Sequence, residues 1–72
     1  MAELRSEVAG SIWKINYQPG DRVAAGDPVV IVEAMKMEIP VESPVAARID
    51  ELLVNEGDPV QEGQLIAKLT PG

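Results

Sequence analysis

Few residues in this chain are able to carry chemistry. Histidine and cysteine are absent, and three serines and one threonine have no imidazole to activate them. The usual general base, thiolate nucleophile and commonest metal ligands are therefore all missing. What stands out is a lysine in an unusual setting, Glu33-Ala34-Met35-Lys36-Met37-Glu38. A lysine amine is mostly protonated at neutral pH and is a poor nucleophile until a base takes its proton. The chain has no such base of its own, and an enzyme acting alone is not expected.

Position gives Lys36 two readings. Most hairpin lysines are solvated charges and most methionines fill gaps in a core. Against this, the lysine stands at a symmetric junction, whereas Lys14 and Lys68 each fall inside a predicted strand, facing solvent.

Composition narrows the classes further. The chain has 72 residues, with 12 acidic against 6 basic side chains and a formal net charge of −6. A charge of that sign repels a phosphate backbone, and no basic stripe offsets it, so nucleic acid is not an expected partner. The longest apolar run, Val29-Val30-Ile31-Val32, is far too short to span a bilayer, and Met1 to Arg5 lacks the layout of a signal peptide. No membrane association and a cytoplasmic location are the expectations. The missing cysteines fit a reducing compartment. A single domain over residues 1–72 is expected from the length.

The elements that position the lysine emerge when the chain is laid over itself with an offset of 37. Ser6, Val8, Ala9 and Ile12 fall on Ser43, Val45, Ala46 and Ile49, while Gly20, Asp21, Val23 and Gly26 fall on Gly57, Asp58, Val60 and Gly63. These are 8 identities in 30 pairs, and they coincide with turn glycines and apolar positions. Two copies are too few for a solenoid. Half-repeats at 6–35 and 43–72, related by a pseudo-twofold axis and closing one core, are the simpler arrangement.

Each half reads as β structure. Gly20-Asp21 and Gly57-Asp58 are turn chemistry, with glycine supplying positive φ and aspartate accepting from nearby backbone N–H groups; Gly26 and Gly63 punctuate again six residues later. The segments between are β-branched: Ile12 to Tyr17, Val29 to Val32, Ile39 to Val41, Ile49 to Val54 and Leu65 to Leu69. Alternation is imperfect at Ile12-Trp13-Lys14-Ile15 and Ile49-Asp50-Glu51-Leu52, where apolar residues stand three apart, a spacing a helix also gives. Glycine and the six scattered prolines argue for strands and minimal helix. A sandwich or flattened barrel follows. Trp13, the sole tryptophan, is expected in core or half-exposed packing.

The chain must reverse near Met35-Lys36. Two-residue hairpins normally use Asn-Gly, Asp-Gly or Gly-X, because their turns need positive φ. A turn of methionine and lysine departs from local preference, as functional sites do.

At these residues the sequence resembles the biotinyl domains, in which Ala/Ser-Met-Lys-Met surrounds the lysine that carries biotin. The Gly-Asp-Xaa-Val repeat at Gly20 to Val23 and Gly57 to Val60 also matches that pattern, and the likeness extends from about Val8 to Leu69. It implies an all-β, flattened barrel of two four-stranded antiparallel sheets, with the lysine on an exposed hairpin opposite the chain termini. The halves align without a gap, so the thumb that some members insert is not expected. It also implies a non-catalytic carrier. A biotin protein ligase would join biotin to Lys36 by an amide, and the arm would shuttle carboxybiotin between a biotin carboxylase and a carboxyltransferase, for instance of an acyl-CoA carboxylase such as acetyl-CoA carboxylase. Glu33, Ala34, Met35, Met37 and Glu38 would serve recognition by ligase or partner, the acids guiding docking to a basic surface. Two alternatives share the fold: a lipoyl carrier, which usually places Asp-Lys-Ala at the tip, and an unmodified interaction module.

Overall fold

The computed structural model describes residues 2–72. Eight strands follow in order: β1 Ala2–Arg5, β2 Gly10–Ile15, β3 Arg22–Val23, β4 Pro28–Ala34, β5 Met37–Glu42, β6 Ala47–Leu52, β7 Pro59–Val60 and β8 Leu65–Pro71. They form two antiparallel four-stranded sheets, ordered β1-β8-β6-β3 and β5-β4-β2-β7. No helix occurs among the described residues. The flattened barrel expected from the sequence is present, and its extents are 34 × 19 × 19 Å.

The offset of 37 governs the strand pairing itself. Ile12↔Val32, Lys14↔Ile31 and Ile15↔Val30 in one sheet become Ile49↔Leu69, Glu51↔Lys68 and Leu52↔Ala67 in the other. Ala2↔Leu69 likewise becomes Ile39↔Val32. Irregularities repeat too: the register slips between Ile12 and Lys14 and again between Ile49 and Glu51. Trp13 and Asp50 are therefore the extra residues of two equivalent β-bulges. A bulge puts two residues opposite one and restarts alternation out of phase. That is why the apolar residues stand three apart in strands.

Inward positions of both sheets make one core. Ile12, Val30, Val32, Ile49, Ile66 and Leu69 are all buried, each side chain contributing about 1.5–3 kcal/mol through apolar burial. Ser6 and Ser43 are buried among them, and each hydroxyl donates to a carbonyl two residues on, Val8 O or Val45 O, at 2.6 Å. No buried side-chain polar atom lacks a partner among the described residues.

The halves clasp each other at their turns. Gly20 N–H donates to Ile49 O at 2.7 Å and Ile49 N–H to Asp21 O at 2.9 Å; reciprocally, Gly57 N–H donates to Ile12 O at 2.7 Å and Ile12 N–H to Asp58 O at 2.8 Å. Each glycine holds φ near +90°, at 95° and 91°. The aspartates close the same turns, accepting from Gln18 N–H at 2.8 Å and Asn55 N–H at 2.9 Å.

Several sequence expectations need correction. Strand β1 carries a single buried residue, Leu4, and the expected strand list omits it along with the two-residue strands β3 and β7. β2 ends at Ile15 and β6 at Leu52, short of Tyr17 and Val54. Of the two places expected for Trp13, core or half-exposed, it takes the second: it is 47% exposed and lies outside the set of residues packed on the core. Lys14 and Lys68 both face outward as expected, the Lys68 side chain 42% exposed with its amine 3.7 Å from Glu51.

Candidate functional site

The β4–β5 hairpin brings the predicted site residues together. Ala34 pairs with Met37, leaving Met35 and Lys36 as a two-residue loop. Both take positive φ, 52° and 64°, and they are the only non-glycine residues to do so among those described. Two-residue loops match the right-handed twist of their strands as type I′ or II′ turns, and positive φ at both central residues makes this one the I′ kind. For residues bearing a Cβ that conformation costs roughly 1–2 kcal/mol each. The deeply buried Val30 and Val32, paired with Val41 and Ile39, hold the register that imposes it. The departure from turn preference noted in the sequence is thus real backbone strain, concentrated at the lysine.

Exposure is concentrated there as well. Met35 is 94% exposed and Met37 64%, so neither methionine fills the core. Lys36 is exposed and makes no hydrogen bond or ion pair among the described residues. Met35, Met37 and Ile39 line a shallow groove with Val8, Ala9 and Ala34 on the inner side of the hairpin. Glu33 and Glu38 stand directly opposite each other across β4 and β5, one pair below the tip, both exposed.

The strand from Ala2 runs toward Val8 and Ala9, which border the hairpin, so the termini lie at the far end of the barrel. Gly10 supports the hairpin's base, and sequence reasoning missed it. A Cβ there would stand 2.2 Å from Glu33 O and 3.1 Å from Ala34 Cβ. Its signal was weak, because position 47, its equivalent, holds alanine.

Chemically the tip offers one exposed amine that no side chain hydrogen-bonds or pairs with among the described residues, on a two-residue loop with the Glu33 and Glu38 carboxylates at its base. No group of three or more histidine, cysteine, aspartate or glutamate side chains is placed to hold a metal among the described residues. The exposed amine, with Met35 94% and Met37 64% exposed on either side, fits a cofactor held by an amide to the lysine.

Comparison with known proteins agrees. A family model described as biotin-requiring enzyme matches residues 1–69. The chain is 41% identical over 71 residues to a "Biotinylated protein TB7.3 homolog" of Mycobacterium leprae, covering 97% of this chain and 100% of that protein. It is 38% identical over 64 residues to a "Biotin/lipoyl attachment protein" of Bacillus subtilis, covering 89% and 88%. The solved structure of a single-chain, multi-domain long-chain acyl-CoA carboxylase superposes with a TM-score of 0.93 at 31% identity, over 99% of this chain and 7% of the carboxylase.

Proposed function

Since the chain belongs to the biotin/lipoyl attachment family of biotin-requiring enzymes, whose cofactor is biotin, we propose that Lys36 is the residue modified and that the protein carries carboxyl groups between two partner active sites. The observation that carries this reading is the strained, fully projecting Met35-Lys36 loop.

A biotin protein ligase supplies what the chain lacks. It presents biotin as its adenylate and a base for the amine. The Lys36 Nζ lone pair then forms the amide bond, the acyl–oxygen bond to AMP breaks, AMP leaves and one proton is released. The formal net charge falls by one from −6. When bound, biotin supplies a ureido nitrogen that accepts and donates a carboxyl group.

The chain's own residues tether and present. The hairpin keeps the arm's root outside the barrel, and tethering replaces bimolecular encounter with a high local concentration at each partner. A biotin carboxylase loads the arm and a carboxyltransferase unloads it, to an acceptor such as an acyl-CoA. The carrier takes no part in either reaction beyond this. Met35 and Met37 offer the partner an exposed apolar grip, and Glu33 and Glu38 an acidic one.

Coexpression with a biotin protein ligase and weighing of the intact protein tests the reading. One biotinyl group is expected, absent from Lys36→Arg. A lipoyl mass in its place, or label retained by Lys36→Arg, overturns it.

A further inference from the structure

Internal symmetry lets the outer faces of the two sheets be compared position by position. On the β1-β8-β6-β3 sheet every charge near the centre is matched. Arg5 and Glu3 meet at 2.8 Å, Arg48 and Asp50 at 3.1 Å, and Lys68 and Glu51 at 3.7 Å. These are all the ion pairs among the described residues. Exposed pairs add little stability. They leave the middle of that face polar and paired, with Arg22 opposite Arg48 only at its β3 edge.

The β5-β4-β2-β7 sheet differs at each of those places. The equivalents of Glu3, Asp50 and Lys68 are Pro40, Trp13 and Ile31, so each couple has an apolar residue in place of a charge; Glu42 and Lys14 keep a charge at the partner position in two of them, while Ser11 replaces Arg48 in the third. Ile31 pairs with Pro40 on one side and with Lys14 on the other, which puts them in one row, and Trp13 occupies the adjoining bulge. Trp13 and Pro40 are exposed and Ile31 half-exposed. One row nearer the tip, Glu33 and Glu38 face each other. Like charges directly opposite across a sheet are destabilising, and a basic partner relieves the repulsion.

We propose that this outer face, centred on Trp13, Ile31 and Pro40, is the docking surface for the biotin protein ligase, through an apolar patch on the ligase bordered by basic side chains. The inference rests on the carrier reading above. Two arguments select the ligase. The unmodified carrier has no cofactor to be recognised by, and three lysines, Lys14, Lys36 and Lys68, from which one must be chosen. Protein surface is then the only available label, whereas later partners bind the biotin ring itself. The face is also continuous with the target, because β4 and β5 run from Ile31 and Pro40 directly into the Met35-Lys36 loop.

The test replaces the patch with what the other half already tolerates, Trp13→Asp with Ile31→Lys. Initial rates of biotin incorporation by purified ligase, with biotin and ATP, are measured against carrier concentration. A fall in kcat/KM of about tenfold, carried by KM, is expected from loss of one central anchor. Lys68→Met on the opposite face should leave the rate unchanged. Trp13→Ser alone guards against misfolding of the double variant, and circular dichroism checks both. Unchanged ligation by the well-folded variants overturns the proposal. So does normal ligation followed by slow loading at the biotin carboxylase, which would assign the face to that enzyme. Failure of the wild-type protein to take biotin at all would instead overturn the carrier reading.

Discussion

Gly10 lies so close to Glu33 that a methyl group in place of its hydrogen would stand 2.2 Å from the Glu33 carbonyl oxygen. The contact joins β2 to the root of the lysine hairpin, where Ser11 pairs with Glu33. Backbone cannot yield there without shifting β4. Gly10→Ala is expected to destabilise the fold by about 1–3 kcal/mol, the usual cost of overpacking. Thermal unfolding should show it, at roughly 4–8 °C per kcal/mol for a domain of this size. A melting temperature equal to wild type would mean the strands separate freely at that point.

The strained loop gives a prediction of opposite sign. Asparagine tolerates the left-handed region that methionine resists. Met35→Asn should stabilise the protein by up to about 1 kcal/mol. Because Met35 is 94% exposed, no core packing is lost. The same variant should be biotinylated more slowly if the thioether is a recognition contact, so a melt and a labelling time course on one sample separate the two roles.

Asp50 accepts a short hydrogen bond from the Thr70 hydroxyl and another from Arg48 Nε at 3.1 Å. The Thr70 bond first, and then Arg48, hold its carboxyl below the usual carboxylate range. A depressed folded value contributes stability that is fully present above the unfolded value, about pH 4, and lost as pH falls through the folded one. The stability gap between wild type and Asp50→Asn should therefore be open at neutral pH and close in acid. Thr70→Val should narrow it. Urea titrations at several pH values measure both, and a gap that widens in acid would contradict the assignment.

Repetition makes a fourth prediction. Asp21 and Asp58 close equivalent turns through bonds of 2.8 and 2.9 Å. Asp21→Ala and Asp58→Ala should each cost about 1 kcal/mol, the net value of one such bond. Denaturant midpoints that differ widely between the two would show that the halves are not energetically equivalent.

Much of this was legible in the chain. The offset of 37 carries into every strand pair, and the Met-Lys-Met tip lies where the junction of the halves placed it. What escaped notice has physical reasons. β1 buries only Leu4, too little to stand out as a pattern. β3 and β7 are two residues long and are held by the turns beside them rather than by any strand propensity of their own. The bulges at Trp13 and Asp50 imitate helical spacing, and they turn outward a tryptophan that side-chain size alone would assign to the interior. Gly10 is demanded by the approach of a distant carbonyl, which no local window of sequence contains.

The pairing of Ala2 with Leu69 has the same geometry as that of Ile39 with Val32. The barrel thus has two equivalent ends, one spanned by the lysine loop and the other bordered by Ala2 and Gly72. Joining Gly72 to Ala2 through a short turn would span the second end as well, and the resulting ring could be cut at Met35-Lys36 instead. Such a permuted chain would keep every strand pair while moving the free ends to the place the cofactor now holds. A Met-Lys-Met spliced into the new turn would present its lysine from the other pole, giving a carrier with its polarity reversed.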